Sequence, residues 1–381
     1  MDFSLTEDQK MLRAMVRDFA EKELEPIAAE IDEEARFPAE SVQKAAELGL
    51  TGIGYPEEYG GSGGGTVEQA IVFEELARAC AATSVIFVAT NELAAYPLYA
   101  YGTEEQKQQY LVPLLKGDKL GAFGLTEAGA GSDVAAMAMT AARQDNGYIL
   151  NGNKIFISNG AEADIIITFA TVDRSQGYRG VTAFIVEKAT PGFSVGKHER
   201  KMGIRAASAT ELVFEDCLVP VENRLGDEGR GFRIALETID ASRLGVAAQS
   251  LGIAQAAFEK SLSYSRERQQ FGQSIASFQA IQWMLADMAT QIDAARLLTH
   301  RAAFLKDQGL PFIKESSMAK LYAAETAMFV TTKAVQIHGG YGYTKDFAVE
   351  RYFRDAKIME IYEGTSEMQR MTIARQLLRD D

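Results

Sequence analysis

Tyr148-Ile149-Leu150-Asn151-Gly152-Asn153-Lys154-Ile155-Phe156-Ile157 alternates apolar and polar side chains around an Asn-Gly pair. Alternation at period two marks a half-buried strand, and Asn-Gly is the strongest short hairpin signal because both residues tolerate positive φ. The stretch therefore predicts two strands turning at Asn151-Gly152. It also decides the fold, since the chain on either side of this region reads as helix.

Working outward, Ala122 to Leu125, Ile165 to Ala170, Thr182 to Val186 and Glu211 to Phe214 are further apolar, β-branched or aromatic runs between turns. Residues 121–225 are thus expected to form an antiparallel β-domain. Residues 1–120 read as a helical domain. Thr6-Glu7-Asp8-Gln9 opens a capped amphipathic pattern with Leu12, Met15, Val16, Phe19 and Leu24 on one face. A second helix follows Pro38 and ends at Gly49, and helical patterns run from Val67 to about Ala100 and from Thr103 to Leu115. Gly60 to Gly65 is a loop, not a phosphate cradle, because no strand leads into it and the G-x-G-x-x-G spacing is missing. In residues 226–381, Phe232 to Ser265, Phe278 to Gln308, Ile313 to Ile337 and Phe347 onward are long, Ala-rich and amphipathic, which predicts a four-helix bundle. The expected fold class is mainly α with a central β-domain.

Bulk properties narrow the function. The 381 residues carry a formal net charge of −14, which argues against nucleic acid as a main partner. A small phosphorylated ligand needs only a few local Arg or Lys side chains and stays open. Cys80 and Cys217 stand in no metal or redox spacing and read as small buried hydrophobes in a reducing compartment. Met1-Asp2-Phe3-Ser4-Leu5-Thr6-Glu7 has no secretory signal pattern. Ala79 to Leu93, uncharged but for Glu92, is too short to span a membrane, so insertion is not expected and the cytoplasm is the default address.

Several chemistries find no support. His198, His300 and His338 are isolated, so no metal site is expected; G-x-S-x-G, a Cys nucleophile signature and Rossmann spacing are missing. Gly147 and Gly152 have P-loop spacing, but Asn153 stands where Lys is required. Three glycine- and hydroxyl-rich segments remain: Gly124-Leu125-Thr126-Glu127-Ala128-Gly129-Ala130-Gly131-Ser132-Asp133, Phe156-Ile157-Ser158-Asn159-Gly160, and Gln336-Ile337-His338-Gly339-Gly340-Tyr341-Gly342-Tyr343. The first offers backbone N–H groups and hydroxyls to a flat or phosphorylated ligand. Near the end, Tyr362-Glu363-Gly364-Thr365 places a carboxylate just before a helix start, with Thr365 or Ser366 as N-cap.

Together these segments closely resemble the flavin-dependent acyl-CoA dehydrogenases over the whole chain. Residues 124–136 fit one family signature; residues 336–346, continued by Arg351 and Asp355, fit the other. The resemblance implies a helical domain, a β-domain and a helical bundle, with FAD bound between the last two, in a homotetramer. It implies that Phe123, Leu125, Thr126, Gly131 and Ser132 line the flavin, with Phe156, Ile157 and Ser158 as its second wall. Many relatives carry Trp where Phe156 stands. Arg268, Phe271, Phe278 and Gln279 correspond to contacts with the FAD diphosphate and adenine. Gln336, Ile337, Gly339 and Gly340 correspond to an FAD-binding loop from a neighbouring subunit. Thr365 and Glu367 also fall at cofactor positions. Ser132, Asp240, Arg243, Gly364 and Arg375 correspond to substrate positions, chiefly around CoA.

By the same resemblance Glu363 takes the α-proton of an acyl-CoA thioester and the β-hydrogen leaves as hydride to flavin N5. The product is a trans-2-enoyl-CoA, and the electrons pass to an electron-transfer flavoprotein. Some relatives place the base just before the Arg matching Arg243, but Ala241-Ser242 holds no carboxylate, which leaves Glu363. Rival readings are an oxygen-using acyl-CoA oxidase and a CoA- or flavin-binding protein without turnover. The expected acyl group is short, branched or cyclic, with butyryl-like favoured. Its length is set by the helix around Ala79 to Leu98, where no Arg accompanies Thr83 and Ser84 to pair a distal carboxylate.

Overall fold

The computed structural model describes residues 4–378; Met1 to Phe3, where the N-terminal reading begins, lie outside them. Helices α1 (Glu7–Phe19), α2 (Ala28–Glu34), α3 (Ala39–Glu47), α4 (Thr66–Ala79), α5 (Ala81–Val88), α6 (Tyr96–Tyr101), α7 (Glu104–Gln106) and α8 (Val112–Leu115) come first. Thr6 and Gln9 form the expected capping box, and Val16, Phe19 and Leu24 are buried. Met15 is not, because it faces the flank of that stripe. The pattern read as one helix from Val67 breaks at Cys80, whose extended backbone separates α4 from α5, and widens into a π-helical segment at Ala89–Ala95. Both cysteines are free and buried.

The middle of the chain forms β1 (Gly121–Gly124), β2 (Thr140–Gln144), β3 (Gly147–Ser158), β4 (Ile165–Thr171), β5 (Val181–Glu187), β6 (Phe193–His198), β7 (Ala209–Pro220) and β8 (Arg224–Leu225). They make one sheet in the order β6-β7-β3-β2-β4-β5-β8, with β1 beside β4. Two expectations need correction. The sheet is mixed, since β1 and β2 both run parallel to β4. After β1 the chain travels through the 125–139 loop and the β2–β3 pair before returning, and such a long connection permits parallel pairing.

The Asn151-Gly152 pair is also no turn. It lies within the single strand β3, whose register against β7 jumps between Leu150 and Gly152. There the Asn151 side chain bonds Asp216 twice, accepting from its N–H (2.8 Å) and donating to its carboxylate (3.1 Å). Asp216 itself has φ +47°, and Gly152 has φ +138° with Met139 packed where a Cβ would go. The positive-φ residues make a β-bulge. The reversal sits at Asp145-Asn146, between paired Gln144 and Gly147.

Strand β4 is buried throughout and largely apolar because both its faces are covered. Ile165, Ile167 and Phe169 pack with Leu98, Leu111 and Leu114 of the N-terminal helices, while Ile166 and Ala170 meet Leu212 and Phe214 across the other face.

Helices α9 (Gly231–Glu267), α10 (Gln279–Asp307), α11 (Ile313–His338), α12 (Val349–Met359) and α13 (Ser366–Leu377) complete the fold. The stretch from Phe347 onward is therefore two helices, divided between Met359 and Ser366. Helix α9 lies against α4 and α11. At the α4 contact a Cβ on Gly252 would sit 2.2 Å from the Glu74 carbonyl oxygen. Gly252→Ala is expected to force the helices apart and cost about 1–3 kcal/mol, read as a lowered denaturation midpoint. An unchanged midpoint would show that this crossing has slack.

Candidate active site

The break between α12 and α13 builds the site. Tyr362 N–H still reaches the Ile358 carbonyl (3.1 Å), and Ser366 N–H bonds the Glu360 carbonyl (3.0 Å) across the turn. Thr365 caps α13 by accepting from Met368 N–H (3.3 Å). Between these anchors Glu363 and Gly364 take φ values of +52° and +90°. For a non-glycine residue that conformation is strained, and strain of this kind gathers at functional sites.

The Glu363 residue is partly exposed, but its carboxylate points inward and accepts a 2.5 Å hydrogen bond from Ser242 Oγ on α9. Burial raises the Glu363 pKa to about 7, opposed by the Ser242 hydrogen bond and the positive charges of Lys320 and Arg243. Desolvation wins because an ion loses more by leaving water than these partners return. A carboxyl near 7 exchanges protons readily at neutral pH, as a general base requires.

Glu363 borders a narrow cleft of about 130 Å³. Val85, Val88, Ala89 and Leu93 form its apolar end, with Ile239 and Gln249 from α9. Phe123, Leu125 and Thr126 form a second side, and Phe156, Ile157 and Ser158 a third. Phe156 is 61% exposed with φ +59°, an aromatic face offered to solvent on strained backbone. The next turn is fixed by buried Asn159, which donates to the Ile86 (3.0 Å) and Gly121 (3.2 Å) carbonyls. Gln249 is fully buried and accepts from Tyr362 OH (2.6 Å).

The first two segments singled out in the sequence thus meet at Glu363. Others do not reach this cleft. Gly131 and Ser132 are exposed on the loop after Ala130, while Thr365 and Glu367 lie at the start of α13 and Arg375 is exposed near its end. Arg243 is buried, donating to Asp240 (2.5 Å) and Ser317 (3.1 Å), with its Nε unpartnered. Burial lowers the Arg243 pKa, against the pull of Asp240 and Glu363. This is an internal cation beside the base, where the sequence pointed to CoA.

A second cleft, about 520 Å³, gathers Arg268, Ile337, Gly339 and Gly340 with Tyr264, His338 and Tyr341. The Arg268 guanidinium lies over the Tyr341 ring at 5.6 Å, and Tyr264 stacks on His338 at 4.2 Å. Nearby Phe271 is 92% exposed and meets Phe278 edge to face; Gln279 and Gln336 are exposed. Asp355, from the second signature, accepts from Ile204 N–H (2.5 Å), tying bundle to β-domain.

Sequence reasoning missed Gln249, Asn159, Lys320 and Gln369 as members of the Glu363 surroundings. Only Asn159 carried a signal, as the end of a strand.

A carboxyl poised near neutrality at the edge of a small cleft, flanked by an exposed aromatic wall, is able to take up a proton beside a flat ligand. Comparison with known proteins agrees. Three family models match: acyl-CoA dehydrogenase N-terminal domain over residues 6–118, middle domain over 122–217 and C-terminal domain over 229–378. The chain is 54% identical over 379 residues to the short-chain specific acyl-CoA dehydrogenase of Clostridium acetobutylicum, covering 100% of both. It is 55% identical to the acryloyl-CoA reductase (NADH) of Anaerotignum propionicum, covering 100% of this chain and 96% of that one. Among solved structures, butyryl-CoA dehydrogenase from Megasphaera elsdenii superposes with a TM-score of 0.98 at 49% identity, covering 100% of both chains. The chain belongs to the acyl-CoA dehydrogenase family.

Proposed function

We propose that this chain dehydrogenates a short-chain acyl-CoA to the trans-2-enoyl-CoA, with Glu363 as the acceptor of the α-proton. The observation that carries the reading is the Glu363 carboxyl, raised to about 7, at the edge of a cleft of about 130 Å³. The short-chain reading is supported by the similarity to the short-chain specific and butyryl-CoA dehydrogenases, with Val85, Val88, Ala89 and Leu93 forming an apolar end to the cleft. Butyryl-like substrates are favoured, with short branched or cyclic groups as the alternatives.

FAD is the cofactor of the family, and the residues present suit it. The exposed Phe156 and the Phe123 to Thr126 edge offer a flat apolar berth. The second cleft offers Arg268 and the open Gly339-Gly340 backbone to a diphosphate, with Phe271, Phe278, Gln279, Gln336 and Ile337 around it. When bound, FAD supplies the hydride acceptor for the substrate β-carbon. The chain's own groups do the rest. Glu363 receives the proton, the apolar walls keep water out, and backbone N–H groups at the turn receive the thioester oxygen as negative charge develops. Among the described residues the Glu363 N–H makes no hydrogen bond to the protein, leaving it available for that role. The similarity to acryloyl-CoA reductase suits the same groups run in reverse, protonated Glu363 then returning its proton to the α-carbon.

We assign Gly364, Asp240, Ser132 and Arg375 to the CoA side of the substrate, with Arg243 acting through Asp240. Thr365 and Glu367 at the start of α13 belong to the cofactor side. The division at residues 1–120, 121–225 and 226–381 follows the change from helix to strand and back. A homotetramer accounts for the apolar side chains left exposed on the bundle, including Phe271, Trp283, Leu297 and Phe304, and for the second cleft serving a neighbour's site. An electron-transfer flavoprotein is the expected electron acceptor. The unpaired buried cysteines support a cytoplasmic address. No helix among the described residues is long and apolar enough to cross a membrane.

Anaerobic mixing of the FAD-loaded protein with acyl-CoAs of increasing length tests the substrate. Butyryl-CoA should bleach the flavin fastest, and octanoyl-CoA at least about tenfold more slowly, because a tenfold step needs only ~1.4 kcal/mol. Faster bleaching by octanoyl-CoA would overturn the short-chain assignment.

A further inference from the structure

The turn bearing Glu363 is held from behind by two buried side chains. Lys320 on α11 is fully buried, and its Nζ donates to the Gly364 carbonyl at 2.7 Å. Gln369 on α13, also fully buried, donates through Nε2 to the Gly364 (2.9 Å) and Glu363 (3.2 Å) carbonyls. A Cβ on Gly364 would lie 2.7 Å from that same Nε2, so the clamp closes only over glycine. Both carbonyls of the left-handed turn are thereby pinned to one side.

Lys320 is more than a clamp. A buried ammonium normally lies in an ion pair, yet its hydrogen bond here goes to a neutral carbonyl. The charged groups facing it are Glu363 on the turn, Glu360 at the end of α12, Glu367 on α13 and Arg243 on α9. Arg243 is already paired with Asp240, while Glu367 is exposed. Around the Glu363 carboxylate itself stand Ser242 and Arg243 from α9 and Lys320 from α11. Buried Glu92 and partly buried Tyr362 are the other titratable neighbours, and both feel the Glu363 charge.

We propose that Lys320 is the positioning residue of the catalytic base: it locks the Glu363–Gly364 turn through the Gly364 carbonyl and supplies the buried positive charge against which the Glu363 carboxylate forms. The assignment rests on Glu363 being the base. Burial lowers the Lys320 pKa to about 8, with Glu363 as the largest opposing influence, which agrees with a close coupling of the two charges.

The test uses FAD-loaded protein and anaerobic flavin bleaching by butyryl-CoA as a function of pH. In the parent the rate should rise with pH through the Glu363 ionisation. Removing a nearby positive charge makes the carboxylate harder to form, so in Lys320→Met the rising limb should move to higher pH by ~1 unit or more. The rate at pH 7 should fall about fivefold, since the ionised fraction drops from about one half at a pKa of 7 to about one eleventh at 8. Lys320→Arg, which keeps the charge, should leave the limb in place even if its rate falls. An unmoved limb in Lys320→Met, with or without a slower rate, would reduce Lys320 to a structural prop and overturn the proposal. Should Lys320→Met lose its FAD, Lys320→Gln, which keeps an amide donor for the clamp without the charge, is read the same way. Glu363→Gln run alongside separates the two claims: if it still bleaches at the parent rate, the base assignment has failed and the Lys320 role with it; if it is slow while the Lys320→Met limb stays in place, only the Lys320 role has failed.

Discussion

Glu363→Gln is expected to retain bound FAD and slow its bleaching by butyryl-CoA about 10²–10⁴-fold, the usual contribution of a positioned general base. Glutamine has nearly the shape of glutamate and can still accept from Ser242 Oγ, which lies 2.5 Å from the native carboxylate. The turn, held by its main-chain carbonyls, should persist. What disappears is the group able to take a proton from carbon. The pH profile should change with it. In the parent the rate rises as Glu363 loses its proton near pH 7, a value set by burial. In the variant that limb should vanish. A variant bleaching at the parent rate would place the base elsewhere.

Glu127→Ala is expected to lower stability by about 3–5 kcal/mol, the cost of breaking a buried ion pair and leaving one charge uncompensated. Glu127 is buried and receives Lys154 Nζ (2.6 Å), Ala138 N–H (2.6 Å) and Met139 N–H (3.1 Å). Lys154 has no exposed surface and its pKa is lowered by desolvation, so its charge depends on Glu127. The pair closes the loop between β1 and β2 and joins it to β3. Those segments carry Leu125 and Thr126 on one side of the cleft and Phe156 to Ser158 on the other. FAD should therefore be released along with the stability. A loss below ~1 kcal/mol, typical of exposed pairs, would mean the cleft walls are held by other contacts.

These two residues show what the sequence made legible. Glu127 sits inside a glycine-rich segment that looked like ligand-binding loop, and its task is structural. Its partner Lys154 entered the reading only as one polar position of the alternating strand pattern. Glu363 stood out locally through Gly364 and the Thr365 cap, but those neighbours suit an ordinary helix start equally well, and its proposed role came from the resemblance over the whole chain. Ser242 lies 121 residues from Glu363 and Lys320 44 from Gly364, and no local pattern connects either to the carboxylate. Even so, the missing carboxylate at Ala241-Ser242 was an informative gap, since the structure puts Ser242 against Glu363.

The Asn151-Gly152 pair failed for a related reason. Positive-φ residues suit a hairpin and a bulge equally, and the choice rests with Asp216 on a distant strand. The helical domains read well because capping and periodicity are local properties. The interruption between Met359 and Ser366 was signalled locally by Gly364 and the Thr365 cap, whereas the one at Cys80, where the backbone turns extended between α4 and α5, carries no glycine or proline to mark it.

The most direct measurement mixes the FAD-loaded protein with butyryl-CoA in the absence of oxygen and follows flavin absorbance and the acyl product together. One equivalent of crotonyl-CoA, the trans-2-enoyl product, should appear for each flavin bleached, with the colour returning quickly on addition of electron-transfer flavoprotein and slowly in air. An intact flavin spectrum across all short acyl-CoAs, with no enoyl-CoA formed, would contradict the account.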